Sequence, residues 1–305
     1  MAKTIAICNQ KGGVAKTTTA LNLGASLTES GYRTLLIDLD SQGDLTKALG
    51  IDFPDELEFT IADIMRSYIS PKHLDIDILK QMIMKNDENI EFVPSNLDLG
   101  YLQDVELANA VSRETVLKRF IRDIGDDYDF ILLDCLPSLG NLILNALTAS
   151  DLLLIPSSAE YFSYKGLNAM LDTAMRVIEN TNDKLKFAGI LITQYDRRRK
   201  LHKEALEIMR EQFGNLIPIF DTVIPTNSAV SNAVAFGQSV FAYDRNAPAS
   251  KAYKLAMDEL ITKIDNLYDA PIPKAIELLE GKSLQTAFSN LSEIRKSEII
   301  KEENE

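Results

Sequence analysis

Apolar residues along this chain gather into short, nearly continuous runs separated by mixed or amphipathic stretches. The first is Thr4-Ile5-Ala6-Ile7-Cys8. It is followed by Thr34-Leu35-Leu36-Ile37-Asp38, Ile90-Glu91-Phe92-Val93-Pro94, Phe130-Ile131-Leu132-Leu133-Asp134, Leu152-Leu153-Leu154-Ile155-Pro156, Ala188-Gly189-Ile190-Leu191-Ile192-Thr193 and Thr222-Val223-Ile224-Pro225. Runs this short with almost no polar alternation suit strands covered on both faces, and the stretches between them suit helical crossovers. The pattern predicts an α/β fold, a doubly wound, mostly parallel sheet flanked by helices, with ligands at the carboxyl ends of the strands. The first helix is expected to end at Gly31, and residues 51–88, which hold Pro54, Pro71 and mixed charge, read as an irregular helical insertion. Residues 1–269 read as one domain and residues 270–305, opening on Ala270-Pro271-Ile272-Pro273, as an appended helical tail.

The most specific chemistry lies between the first strand and the first helix, in Gln10-Lys11-Gly12-Gly13-Val14-Ala15-Lys16-Thr17-Thr18. A glycine-rich turn that opens a helix aims backbone N–H groups at an anion, while Lys16 adds a point charge and the Thr17 hydroxyl can reach Mg²⁺. The expected ligand is a nucleoside triphosphate with Mg²⁺. The strict G-x-x-x-x-G-K-[ST] spacing is not met: Gln10 and Ala15 stand at its two glycine positions, and a second lysine, Lys11, precedes Lys16 by five residues. A Cβ at Ala15, where the turn calls for a positive φ, costs about 1 kcal/mol.

Composition narrows the setting. The chain has 305 residues, 46% of them apolar, enough for a large core. Its two cysteines, Cys8 and Cys135, fall in separate apolar runs; they are expected to be buried and inert, which suits a reducing cytoplasm and excludes a disulfide framework. No apolar run approaches the roughly 18 residues of a membrane span, and the opening Met1-Ala2-Lys3 does not read as a leader. A net charge of −13 restricts any nucleic-acid contact to a local patch, and the densest basic stretch is Arg197-Arg198-Arg199-Lys200 with Lys203. That stretch can equally be a solvated helix start balanced by Glu204, Glu207 and Glu211. His73 and His202 read as surface residues.

Carboxylates recur at strand ends. Asp38-Leu39-Asp40-Ser41-Gln42-Gly43 closes the second run with two acids and a turn, suited to placing metal or water beside a γ-phosphate; Asp38 can alternatively cap its own loop. Ile131-Leu132-Leu133-Asp134 has the form of a strand whose terminal acid holds Mg²⁺.

These motifs together resemble the ParA/MinD group of ATPases, whose deviant Walker A loop has the form Lys-Gly-Gly-x-x-Lys-Thr. The segments beginning at Asp38 and Asp134, with Thr193-Gln194-Tyr195-Asp196 and Ile224-Pro225-Thr226-Asn227, resemble later motifs of that group in the same order. The resemblance runs from about residue 3 to about residue 260 and is closest to a ParA-type partitioning ATPase. It implies that Lys11 reaches the nucleotide of a partner subunit and that Asp40 polarises the attacking water. Asp38 would then lie near the metal shell, and the two late loops, residues 193–198 and 224–227, would surround the adenine base, with Pro225 and Asn227 beside it. It further implies an ATP-dependent sandwich homodimer in the cytoplasm that binds DNA non-specifically and is released when a ParB-type centromere-binding protein stimulates slow hydrolysis.

Departures from the group are also legible. Leu136-Pro137 stands where two prolines are usual, and Thr226 and Ala229 replace arginines common near the last motif, so DNA binding would rest on Arg197, Arg198, Arg199 and Lys203, with Lys251 and Lys254 as additions. The first strand begins too early for the helix-turn-helix extension of larger plasmid forms, so operator-specific repression is not expected. A MinD-like membrane-positioning ATPase is the alternative. Against it, residues 277–305 carry seven acids and four bases, a net −3, where anionic lipid would select a basic face. A cluster-carrying relative would need exposed cysteine ligands. A tyrosine-kinase relative would need a C-terminal tyrosine cluster, whereas the last tyrosine is Tyr268.

Overall fold

The computed structural model describes residues 1–70, 74–159, 163–214 and 217–267, so His73 and the 270–305 tail lie outside the described residues. The apolar runs become strands β1 (Lys3–Ile7), β2 (Thr34–Leu39), β4 (Glu91–Val93), β5 (Phe130–Cys135), β6 (Leu152–Ser158), β7 (Lys186–Tyr195) and β8 (Ile219–Pro225). A short β3 (Met84–Lys85) is added. They form one sheet in the order β3-β4-β2-β5-β1-β6-β7-β8, parallel throughout except for the antiparallel pairing of β3 with β4. The central β1, β2, β5 and β6 are buried along almost their whole length, which is why their sequences show no polar alternation.

Helices α1 (Lys16–Glu29), α2 (Asp44–Ala48), α3 (Ile61–Ile69) and α4 (Ile76–Lys80) follow the first strands. After β4 come α5 (Asp98–Tyr101), a π-helical turn (Leu102–Glu106) and α6 (Leu107–Asn109), then α7 (Val116–Ile124). The second half adds α8 (Asn141–Ala149), α9 (Ser163–Asn180), α10 (Lys200–Phe213), α11 (Ser228–Ala235), α12 (Val240–Tyr243) and α13 (Pro248–Leu267). Two apolar layers result. Residues of α3, α7, α8, α9 and α10 pack on one sheet face, and residues of α1, α2, α11, α12 and α13 pack on the other. The insertion at 51–88 is irregular as expected, and Thr60 starts α3 with a capping box closed by Asp63.

A close approach fixes β7 against its neighbours. The pairing with β6 skips Ala188, as Leu153 faces Phe187 and Leu154 faces Gly189, and Gly189 takes φ +137 at this bulge. A Cβ there would lie 2.5 Å from the Pro218 carbonyl oxygen and 3.1 Å from the Phe220 ring. Gly189→Ala is therefore expected to cost about 2–4 kcal/mol in denaturant unfolding. Unchanged stability would show that β7 can move away from residues 218–220.

Candidate functional site

The strand order sets the place of the site. From β1 the chain crosses outward to β2 on one side, and from β5 it crosses to β6 on the other, so the carboxyl end of β1 is the topological switch point of the sheet. The glycine-rich turn rises there. Gly13 and Ala15 adopt left-handed backbone, φ 72 and φ 63, so Ala15 carries the strained conformation its position in the turn requires. α1 begins immediately after it with no side-chain cap and no acidic residue in its first turn, which leaves its N-terminal donors to an anion.

The lysines of the turn differ in setting. Lys16 is buried at 8% exposure and its ammonium donates to the Lys11 carbonyl at 3.3 Å. Lys11 is half-buried, and its ammonium donates to the Ser158 hydroxyl at the end of β6, 3.4 Å away within the same chain. Asn9 secures the base of the turn: its amide donates to the Pro156 carbonyl at 2.7 Å and its oxygen accepts the Lys11 N–H at 3.0 Å.

Strand register brings the carboxylates together. Asp134 faces Ile7 across one pairing and Asp38 across the other. Burial pushes the Asp134 carboxyl well above its ordinary value and the neighbouring Asp38 adds to the effect, with Thr17 and Lys16 pulling the other way. Both Asp134 oxygens are buried without a protein hydrogen-bond partner. A buried, unpartnered acid beside a threonine hydroxyl offers oxygen donors that could hold Mg²⁺, with the lysine as a neighbouring cation and not a ligand. Asp38 is different: burial raises it to about 6, yet its Oδ1 accepts the Asp40 N–H at 3.1 Å and its Oδ2 accepts from the Thr46 N–H and hydroxyl at 2.9 and 2.7 Å. Asp38 thus holds the loop after β2, the capping alternative read from the sequence, while Asp134 with Thr17 is the pair that could hold a metal ion. Asp40 is half-buried and its Oδ1 accepts the Gln42 N–H at 3.0 Å.

The late motifs reach the turn in ways the sequence did not reveal. The Thr193 hydroxyl donates to the Val14 carbonyl and the Gln194 side chain to the Gly13 carbonyl, each at 3.0 Å, so β7 buttresses the turn from behind. Pro225 closes β8 opposite Tyr195, and Asn227 caps α11 by accepting the Ala229 N–H at 3.1 Å. The π-helical turn is a further feature with no sequence signal: Gln103 lies beside Gly140, in the loop after β5, and its buried oxygen has no hydrogen-bond partner.

The basic stretch sits at the start of α10. Arg197, Arg198, Arg199 and Lys203 are all exposed. Arg198 is bound to Asp196 through two guanidinium hydrogen bonds of 3.1 and 3.0 Å, and Lys200 pairs with Glu204 at 3.2 Å. Arg197 and Lys203, with Arg210 and Tyr195, line a groove of about 410 Å³. His202 corrects its reading as a surface residue: it is 5% exposed, and its Nδ1 accepts the Asp196 N–H at 3.0 Å. Cys8 and Cys135 are buried as expected, and burial raises the Cys135 thiol, so Cys135 is not disposed to react. Among the described residues no helix is long and apolar enough to cross a membrane.

Comparison with known proteins agrees with this geometry. Residues 2–187 match the family model described as an AAA domain. The chain is 38% identical over 253 residues to the sporulation initiation inhibitor protein Soj of Bacillus subtilis, covering 83% of this chain and 96% of that one. It is 36% identical over 263 residues to the chromosome-partitioning ATPase Soj of Treponema pallidum, covering 86% and 98%. The crystal structure of cobyrinic acid a,c-diamide synthase from Mycobacterium smegmatis, with bound ADP and magnesium, has a TM-score of 0.74 at 32% identity, covering 89% of this chain and 98% of that one.

Proposed function

Because the chain belongs to the Soj/ParA family of partitioning ATPases, we propose that it is a nucleotide-switched DNA-partitioning ATPase. In this reading ATP drives a sandwich homodimer that binds DNA without sequence preference, and a ParB-type partner stimulates slow hydrolysis to release it. The observation that carries the proposal is the uncapped start of α1, whose Lys16 and Thr17 act on the buried Asp134 carboxyl. Phosphate answers the first and Mg²⁺ the second. Residues 11–18 would cradle the phosphates, with Lys16 on the charged oxygens and Thr17 and Asp134 toward the metal. Mg²⁺ supplies charge neutralisation of the phosphates when bound. Among the described residues nothing at the site forms a nucleophile–base pair, which agrees with phosphoryl transfer by positioning and charge stabilisation.

Lys11 is assigned its role across the dimer. For that it must leave its place against Ser158 in the same chain. DNA contact falls to Arg197, Arg199 and Lys203, with Arg198 partly withheld by Asp196.

The test is binding of the full chain to a random-sequence duplex with no nucleotide, ADP, ATP or a slowly hydrolysed ATP analogue, over a salt series. Binding is expected only with triphosphate and is expected to weaken with salt. Arg197→Ala with Arg199→Ala should lower the slope of log affinity against log salt by about 2, and Arg198→Ala should lower it less. Lys11→Ala should bind ATP yet remain monomeric and off the DNA. Absence of DNA binding in every nucleotide state would overturn the partitioning reading and turn attention to membrane or protein surfaces.

A further inference from the structure

The contacts between β7 and the glycine-rich turn do more than fasten it. A peptide unit is a rigid plane, so fixing a carbonyl also fixes the N–H on its other side. Gln194 holds the Gly13 carbonyl, which sets the direction of the Val14 N–H, and Thr193 holds the Val14 carbonyl, which sets that of the Ala15 N–H. These are donors of the turn that would face an anion. Gln194 makes its bond from a left-handed backbone, φ 53, at a place where the β7–β8 register shifts between Ile192 and Tyr195. A side chain kept at positive φ costs on the order of 1 kcal/mol and persists where its surroundings impose it.

The same segment continues directly into the basic stretch. Tyr195 is buried against the His202 ring, with centroids 5.9 Å apart. The Asp196 N–H is held by His202 Nδ1, the Asp196 carboxylate accepts from the Arg198 N–H and guanidinium, and its carbonyl accepts the Arg199 N–H at 3.1 Å. From the Gly13 carbonyl to the start of α10, hydrogen bonds and a few covalent links form one connected path.

We propose that Gln194 is a positioning residue that couples the posture of the glycine-rich turn to that of residues 196–203, so that filling the turn with a triphosphate resets the DNA-contacting arginines through the Gln194–Gly13 bond. The inference rests on the partitioning reading for the identity of the ligand and of the DNA. The coupling itself is measurable without DNA. Of the two contacts, Gln194 is the one suited to this work, because Thr193 is fully buried whereas Gln194 is exposed and can change partner without opening the core.

The experiment is hydrogen exchange of residues 196–204 with and without a saturating, slowly hydrolysed ATP analogue in wild type, Gln194→Ala and Gln194→Gly. Alanine deletes the bond and keeps the strained backbone; glycine deletes the bond and relieves the strain. Wild type is expected to change its exchange in this segment on binding the analogue, and both variants are expected to lose the change. Their triphosphate-dependent gain in DNA affinity should also fall by about five- to tenfold, the worth of one hydrogen bond. A wild type that shows no change at 196–204, or variants that keep a wild-type change, would overturn the coupling. A wild type that responds at 196–204 but binds no DNA supports the coupling and overturns the partitioning reading instead.

Discussion

Asp40→Ala is expected to bind ATP and form the nucleotide-dependent dimer with near-normal affinity while losing turnover by about 10²- to 10³-fold. The loop after β2 gives the reason. Asp38 grips it at both ends, through the Asp40 N–H and through Thr46, so the Asp40 side chain is presented from a pinned backbone. The turn from Asp40 to Gly43 is closed by its own 3.0 Å carbonyl bond. In the proposed reading a carboxylate held this way would orient water, a contribution made in the transition state and not in the bound ground state. Steady-state turnover, nucleotide titration and the oligomeric state with ATP check the expectation together. Turnover within tenfold of wild type at normal nucleotide affinity would remove Asp40 from the reaction.

Asp134→Asn is expected to act in two opposite directions. With ATP and Mg²⁺ it should lose most of its turnover and the magnesium dependence of nucleotide affinity, because the carboxylate proposed to hold the metal is gone. Without ligands it should be more stable than wild type by on the order of 1–2 kcal/mol, because an amide does not pay for burying an unpartnered charge. The sign with pH follows from the raised Asp134 carboxyl. The wild-type penalty is absent below the ordinary carboxylate range near pH 4, grows as pH rises above it and levels off once the folded-state value is passed. The stability gain of the variant should therefore vanish in acid and grow toward neutral pH. Thermal unfolding of the two ligand-free proteins across pH measures it, and a variant less stable than wild type at neutral pH would show that Asp134 finds a partner in solution.

Much of the fold was legible because strand and turn signals are local. The apolar runs at 4–8, 130–134 and 152–156 became the central strands within a residue or two, since strands buried on both faces leave no polar alternation to confuse them. β3 escaped notice because two residues paired at an edge, Met84 and Lys85, carry no period. The strained φ of Ala15 followed from its place in the turn.

The sequence by itself determined a triphosphate-type turn on a parallel sheet and a set of acids at strand ends, because each depends on neighbours a few residues away. Tertiary structure decided which acid is free. Asp38 is engaged by Thr46, eight residues on, while Asp134 reaches its neighbours only through strand register and is left with two open oxygens. It also buried His202, turned Asn227 into a helix cap and joined Gln194 to Gly13 across a separation of 181 residues. Contacts at that distance leave no periodic trace in the chain; they exist only once the order of strands has placed the end of β7 behind the turn that follows β1.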